Sequence, residues 1–134
     1  MKSTCFSDNT FENNSNMDVG LNLNQVGVID ENSTLAKGVE IYGSTLSQTV
    51  SIAKLAGDKP YHITGNLKLE SDLTVDAGVR MHFDENKMLD VKSSGSLQVN
   101  GSSDNMVHFT SSDSSSGIHW KGIYIQSTSV KNTI

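Results

Sequence analysis

Cysteine is nearly absent from this sequence. Cys5 is the only one, which excludes an internal disulfide and any zinc cluster built on thiolates. Basic charge is scarce: 10 Lys and Arg residues stand against 15 Asp and Glu, for a net charge of -5. No basic surface is therefore expected to attract nucleic-acid phosphates or an anionic membrane. Long apolar runs are missing too. None approaches the ~18 residues a membrane-spanning helix needs. The first residues lack the apolar centre of about 7–15 residues that a signal peptide requires. Hydrophobic residues make up 35% and aromatic residues 6%, while Ser, Asn, Thr and Gly abound. That balance leans toward an all-β or repeat protein over a helical bundle, and 134 residues are one domain's worth.

Residues 1–25 are Asn-rich and show no sustained period, so they read as a flexible tether or an expression remnant. A sharper reading makes Cys5 the lipidated start of a bacterial lipoprotein. Lys2-Ser3-Thr4 fits it poorly, and an inert free thiol is the alternative. Asn-X-Ser/Thr sequons begin at Asn13, Asn32 and Asn100, as chance supplies in such a composition.

Order begins at Val26. Val26/Val28, Val39/Ile41 and Val50/Ile52 are apolar pairs two residues apart, punctuated by Gly27, Gly38, Gly43 and Gly57. Residues 45–56 also fit a short helix stopped by Gly57, although a strand around Val50 is the favoured reading. Residues 26–58 are assigned to an amino-terminal cap with first strands, and 59–134 to regular turns.

Those turns repeat a single unit. Leu67/Leu69, Leu73/Val75, Val79/Met81/Phe83, Leu89/Val91, Leu97/Val99, Val107/Phe109 and Ile123/Ile125 each read as a tiny strand with one face inward. Short polar corners such as "ESD", "DAG" and "KSSGS" separate them, with glycines at 78, 95 and 101. Every third strand matches: Leu67 with Leu89, Leu73 with Leu97, and Met81 with Val107. A period in the low twenties with three strands per repeat predicts an all-β fold, a three-sided parallel coil. Leu73, Val75, Val79, Met81, Leu89, Val91, Leu97, Val99, Val107 and Phe109 are expected to point inward. Lys68, Thr74, Arg80, His82, Asp90, Gln98 and His108 are expected to point outward. A β-sandwich is the main competitor, because short strands at regular intervals are its signal too.

Residues 60–126 resemble the first turns of right-handed parallel β-helix domains of bacterial secreted and surface proteins. The resemblance is carried in order by Pro60, Tyr61, Ile63 and Gly65; by Leu73, Thr74, Gly78, Val79 and Phe83; and by Leu89, Val91, Gly95, Leu97 and Gly101. It continues through Val107, Phe109, Thr110 and Ser111, and then Gly117, Trp120, Gly122 and Ile123. Asp76-Ala77 departs from the Glu-Pro common at that corner. The resemblance implies a fold and leaves function open, since such coils carry lyases, adhesins and spacers alike.

No residue pattern compels a chemistry. His62, His82, His108 and His119 are candidate metal ligands, with His82 and His108 about one turn apart, but solvated imidazoles on a sheet are the simpler reading. Asp84, Glu85, Asp104 and Asp113 lie in corners without an EF-hand or a Gly-Gly-x-Gly-x-Asp repeat to make them a calcium site. A polysaccharide lyase needs cations beside a uronate, and Arg80 is the only arginine. A glycosidase needs two carboxylates, which Asp72, Asp76, Asp84 and Asp90 offer in many combinations. Trp120 and Tyr124 are candidates for stacking on sugar rings, with a structural corner role the leading reading for Trp120. No phosphate loop, dinucleotide fingerprint or Ser-His-Asp motif is present.

The expectation is a non-catalytic secreted or surface module, adhesin-like or carbohydrate-binding, with no cofactor and no metal. The alternative is an amino-terminal piece of a β-helix lyase or glycoside hydrolase. A polysaccharide or surface-protein partner is expected, and the carboxyl-terminal end of 59–134, with no closing turn, is expected to self-associate, to be ordered by a partner or to continue into a longer coil.

Overall fold

The computed structural model describes residues 7–29, 32–113, 115, 117 and 119–134. The Cys5 reading lies outside them.

Each apolar pair from Val39/Ile41 onward becomes a strand of three or four residues, whereas Val26/Val28, expected as a period-2 segment, falls in a 3-10 helix; each polar corner turns the chain onto a new face. The strands are β1 (Thr10–Phe11), β2 (Val19–Leu21), β3 (Thr34–Leu35), β4 (Val39–Ile41), β5 (Ser44–Leu46), β6 (Val50–Ile52) and β7 (Tyr61–Ile63). They continue as β8 (Leu67–Leu69), β9 (Asp72–Val75), β10 (Arg80–Phe83), β11 (Met88–Val91), β12 (Ser96–Val99), β13 (His108–Ser111) and β14 (Gly122–Ile125). All pairings between these strands are parallel. Three sheets result: β2-β4-β7-β10-β13, β5-β8-β11-β14 and β6-β9-β12, with β1-β3 a separate small pair. The chain visits the three faces in rotation, which makes it a parallel β-solenoid. The segment 45–56 holds β5 and β6, so strand prevails there over helix.

Side chains stack in columns because strands one turn apart pair in register. Val39, Tyr61, Met81 and Phe109 form one inward column, and Ile41, Ile63 and Phe83 form the next. Leu67 lies beside Leu89, and Leu73 between Val50 and Leu97. Tyr61 is fully buried in this apolar stack, and its hydroxyl donates to the Ala53 carbonyl at 2.6 Å. That bond satisfies the one polar atom the column brings inside. Burial, with the Asp76 charge nearby, pushes the Tyr61 phenol well above its ordinary pKa.

Of the residues expected inward, Leu73, Val75, Val79, Met81, Leu89, Val91 and Leu97 are buried, whereas Val99, Val107 and Phe109 are half-buried. The core thins toward β13 because the outermost turn has a neighbour on one side only. The register there differs from the spacing reading. Met81 pairs with Phe109, 28 residues on, and Val107 falls opposite Val79 at the corner. A period-2 pattern survives a slip of two unchanged, so the inward assignment holds while the partner changes.

The Asn-rich start is not without structure. From Thr10 it supplies β1, β2 and a 3-10 helix at Leu23–Val28. Asn22 and Gln25 close that helix with a capping box, and Leu23 and Val26 are buried. Asn24 then stands in for a strand. Its side chain donates to the Thr45 carbonyl and accepts from Ser47 N–H, each at 2.9 Å, covering the edge of β5.

Candidate functional site

The outward rows follow from the same register. On the first face Glu40, His62, His82 and Thr110 lie one above another. On the second Thr45, Lys68, Asp90 and Tyr124 do so, and on the third Ser51, Thr74 and Gln98.

The histidine expectation needs correcting. His108 pairs with Arg80, and the histidine beside His82 is His62, whose ring lies edge-on with centroids 6.0 Å apart. The corner before β13 holds eight residues where the equivalent corner before β10 holds four, and this moves His108 along the row. Burial holds His82 below the usual imidazole pKa, with His62, Arg80 and His108 adding to the effect. His119 is exposed, and its carbonyl accepts from Asn86 N–H at 3.1 Å. Among the described residues no three His, Cys, Asp or Glu side chains gather in a metal-holding group.

The carboxylates are mostly occupied one by one. Asp72 accepts from Lys131 Nζ at 2.7 Å and Ser96 Oγ at 2.6 Å, and these two hold it below the usual carboxylate range. Asp84 accepts from Ser112 Oγ at 2.8 Å. Asp113 accepts from Ser115 Oγ and Ser115 N–H, which lower its pKa. Asp90 is a correction: expected on the solvent side, it is only 8% exposed, held by Lys92 at 2.5 Å and Gln126 Nε2 at 2.9 Å. Alternation sends its side chain out of the coil, and longer side chains from beyond the strand fold over it.

Charged groups do converge at one place, the edge where the third face turns into the first. Three successive corners stack there, and Lys54, Asp58, Arg80, Asp104, Asn105 and His108 line a cleft of about 290 Å³. Gly78 sits in the middle with φ of 78°, and a Cβ there would lie 2.9 Å from Lys54 Cδ. Only glycine both reaches that dihedral at low cost and lets the lysine stem lie across the corner. Gly78 N–H donates to the Asn105 carbonyl at 3.1 Å, tying the corner to the loop above it. Ser102 and Asn105 exchange two backbone hydrogen bonds of 3.2 Å, which closes that loop.

Lys54 bonds Asp58 at 2.8 Å, and this contact, helped weakly by Arg80, lowers the Asp58 pKa. Arg80 itself is half-buried and makes no ion pair with a described residue. The sequence singled out Arg80, Asp104 and His108 separately. Lys54, Asp58 and Asn105 were missed, since their meeting depends on corner lengths; the spacing of Lys54 and Asp58 was the only local signal.

Trp120 stacks on Phe83, the structural role expected for it. Tyr124 is half-exposed on the second face. A second, more apolar groove of about 440 Å³ lies at the β13 end, between Val99, Val107, Met106 and Ile134. No helix among the described residues is long and apolar enough to cross a membrane. No protein-family model, curated protein or solved structure matches this chain, so the solenoid assignment rests on the strand pairing itself.

Proposed function

We propose that the chain is a non-catalytic module of a secreted or surface-exposed bacterial protein, adhesin-like or carbohydrate-binding in its role. The observation that supports this reading is the regularity of the outward rows, such as Glu40-His62-His82-Thr110 and Ser51-Thr74-Gln98. These side chains repeat at about 4.8 Å per turn on a rigid backbone. An extended ligand laid along such a face meets hydroxyl, amide, charged and aromatic groups at fixed steps, with little ordering of the protein needed on binding.

The test is an array of polysaccharides and oligosaccharides probed with the purified chain, with release of reducing ends and unsaturated products followed in parallel. Retention on one or more glycans without product release is the expected result. Product release abolished by Arg80→Ala would replace this reading with the lyase or hydrolase alternative. The absence of any glycan binding would remove its carbohydrate arm.

A further inference from the structure

We infer that the cleft around Arg80 is a subsite for one anionic sugar unit, with the guanidinium as its anchor. This rests on the carbohydrate-binding reading above and narrows it to saccharides that carry a carboxylate or sulfate.

The charge arrangement carries the argument. In a chain of net charge -5, the sole arginine lies half-buried in a cleft. Asp58 is engaged by Lys54, and Asp104 forms no ion pair with Arg80. A guanidinium presents five N–H donors in a rigid fork and keeps its charge at every physiological pH. Partly desolvated and without a carboxylate partner, it is matched by an external oxyanion that takes two parallel hydrogen bonds. Lys54 and His108 flank the same space as further donors.

The remaining lining matches a sugar better than a bare anion. Asp58, Asp104 and the Asn105 side chain accept from or donate to ring hydroxyls, and Met106 offers an apolar surface to a ring's C–H face. A volume of about 290 Å³ lies at the small end for ligand sites, which suits one sugar unit of a longer chain. The loop closed by Ser102 and Asn105 and the Gly78–Asn105 bond hold the walls in place before binding.

The experiment is calorimetric titration of the whole chain with trigalacturonate, a sulfated oligosaccharide, neutral galactotriose and sodium acetate. Wild type, Arg80→Gln, Arg80→Lys and Lys121→Gln are compared. An acidic saccharide is expected to bind at least tenfold tighter than galactotriose. Arg80→Gln is expected to weaken it at least tenfold, Arg80→Lys severalfold through loss of the fork, and Lys121→Gln not at all. A preference for the carboxylated or for the sulfated probe identifies the anion, and either supports the site. Equal binding of galactotriose, or binding indifferent to both Arg80 variants, overturns the site while leaving the carbohydrate reading standing. Acetate binding as tightly as the trisaccharide overturns the sugar assignment. Silence with every saccharide overturns the site, while the glycan array decides the carbohydrate reading separately. Arg80→Lys keeps the charge at an outward position, so the comparison survives if Arg80→Gln folds poorly.

Discussion

The indole of Trp120 lies on the ring of Phe83, centroids 4.4 Å apart and planes inclined by 19°. The reason is a gap in a column. Ile41, Ile63 and Phe83 stack inward, but the next position in register is Ser111, too small to cover the phenyl ring. Trp120 comes from the following corner and closes the column from above. Trp120→Ala is expected to destabilise the chain by about 1–3 kcal/mol, below the cost for a fully buried aromatic because the indole is only partly buried. Trp120→Phe should recover most of the loss. Urea denaturation followed by far-UV circular dichroism measures both; an unchanged midpoint for Trp120→Ala would show that the stack adds nothing.

Val91 and Asp90 are neighbours with opposite fates. Val91 is fully buried beside Leu69, so Val91→Asp places a carboxylate in the column with no partner and is expected to unfold the domain. Asp90→Val removes the acceptor shared by Lys92 and Gln126, both of which still reach water. A loss of about 1 kcal/mol is expected. A folded Val91→Asp protein, seen in dispersed amide spectra, would contradict the inward register.

Gly95 marks a close approach of two turns. A Cβ on it would stand 2.3 Å from the Leu69 carbonyl oxygen, a backbone atom with no room to yield. Gly95→Ala is expected to cost about 1–3 kcal/mol through overpacking. Gly57→Ala meets no atom within 4 Å and should cost less despite its positive φ. Equal melting temperatures for the two variants would refute the close approach.

Much of this was legible because the solenoid repeats its instruction. Seven apolar pairs from Leu67 to Ile125 map onto β8 through β14, and the alternation of Leu73, Thr74 and Val75 gives the facing directly. Corner length was not legible. The residues before β13 loop outward and bury little, so no side chain there reports how many are needed, and Met81 paired with Phe109 where spacing had offered Val107. The cleft was hidden for the same reason, since Lys54 and Asp104 sit on corners and Arg80 at the start of β10, and the period alone leaves their superposition undetermined. At the amino terminus the ordering signal was a capping box at Asn22 and Gln25, a local cue without periodicity.

His82 makes stability depend on pH in a definite direction. It faces His62, Arg80 and His108, with Thr110 in register beyond it and Glu40 beside His62. Burial first, and then the electrostatic influence of His62, Arg80 and His108, lower its pKa below 6.5. The unfolded chain therefore takes up the proton first as pH falls, and stability declines from about pH 6.5 until the folded-state value is passed. The lowered carboxylates Asp18, Asp58, Asp72 and Asp113 act in the same direction but at lower pH. The melting temperature should drop between pH 7 and pH 5, and His82→Gln should flatten that drop. An identical slope in the variant would assign the effect elsewhere.

The two ends of the coil are treated differently, which bears on association. Asn24 covers the edge of β5, and on the third face Asn132 and Thr133 bond Leu97 and Val99 of β12. Among the described residues no strand pairs with the outer edges of β13 and β14. Ile125 at 44% and Tyr124 at 50% exposure add apolar surface beside them. A row of backbone donors and acceptors next to apolar side chains is a template for another strand, and a charge placed on it is the usual deterrent. The chain should therefore self-associate as concentration rises, and Ile125→Lys should shift that association to at least severalfold higher concentration with little change in melting temperature. Multi-angle light scattering over a hundredfold range reads both proteins. A monomeric wild type across that range would mean that twist and the neighbouring loops already protect these edges, whereas association untouched by Ile125→Lys would place the contact away from β14.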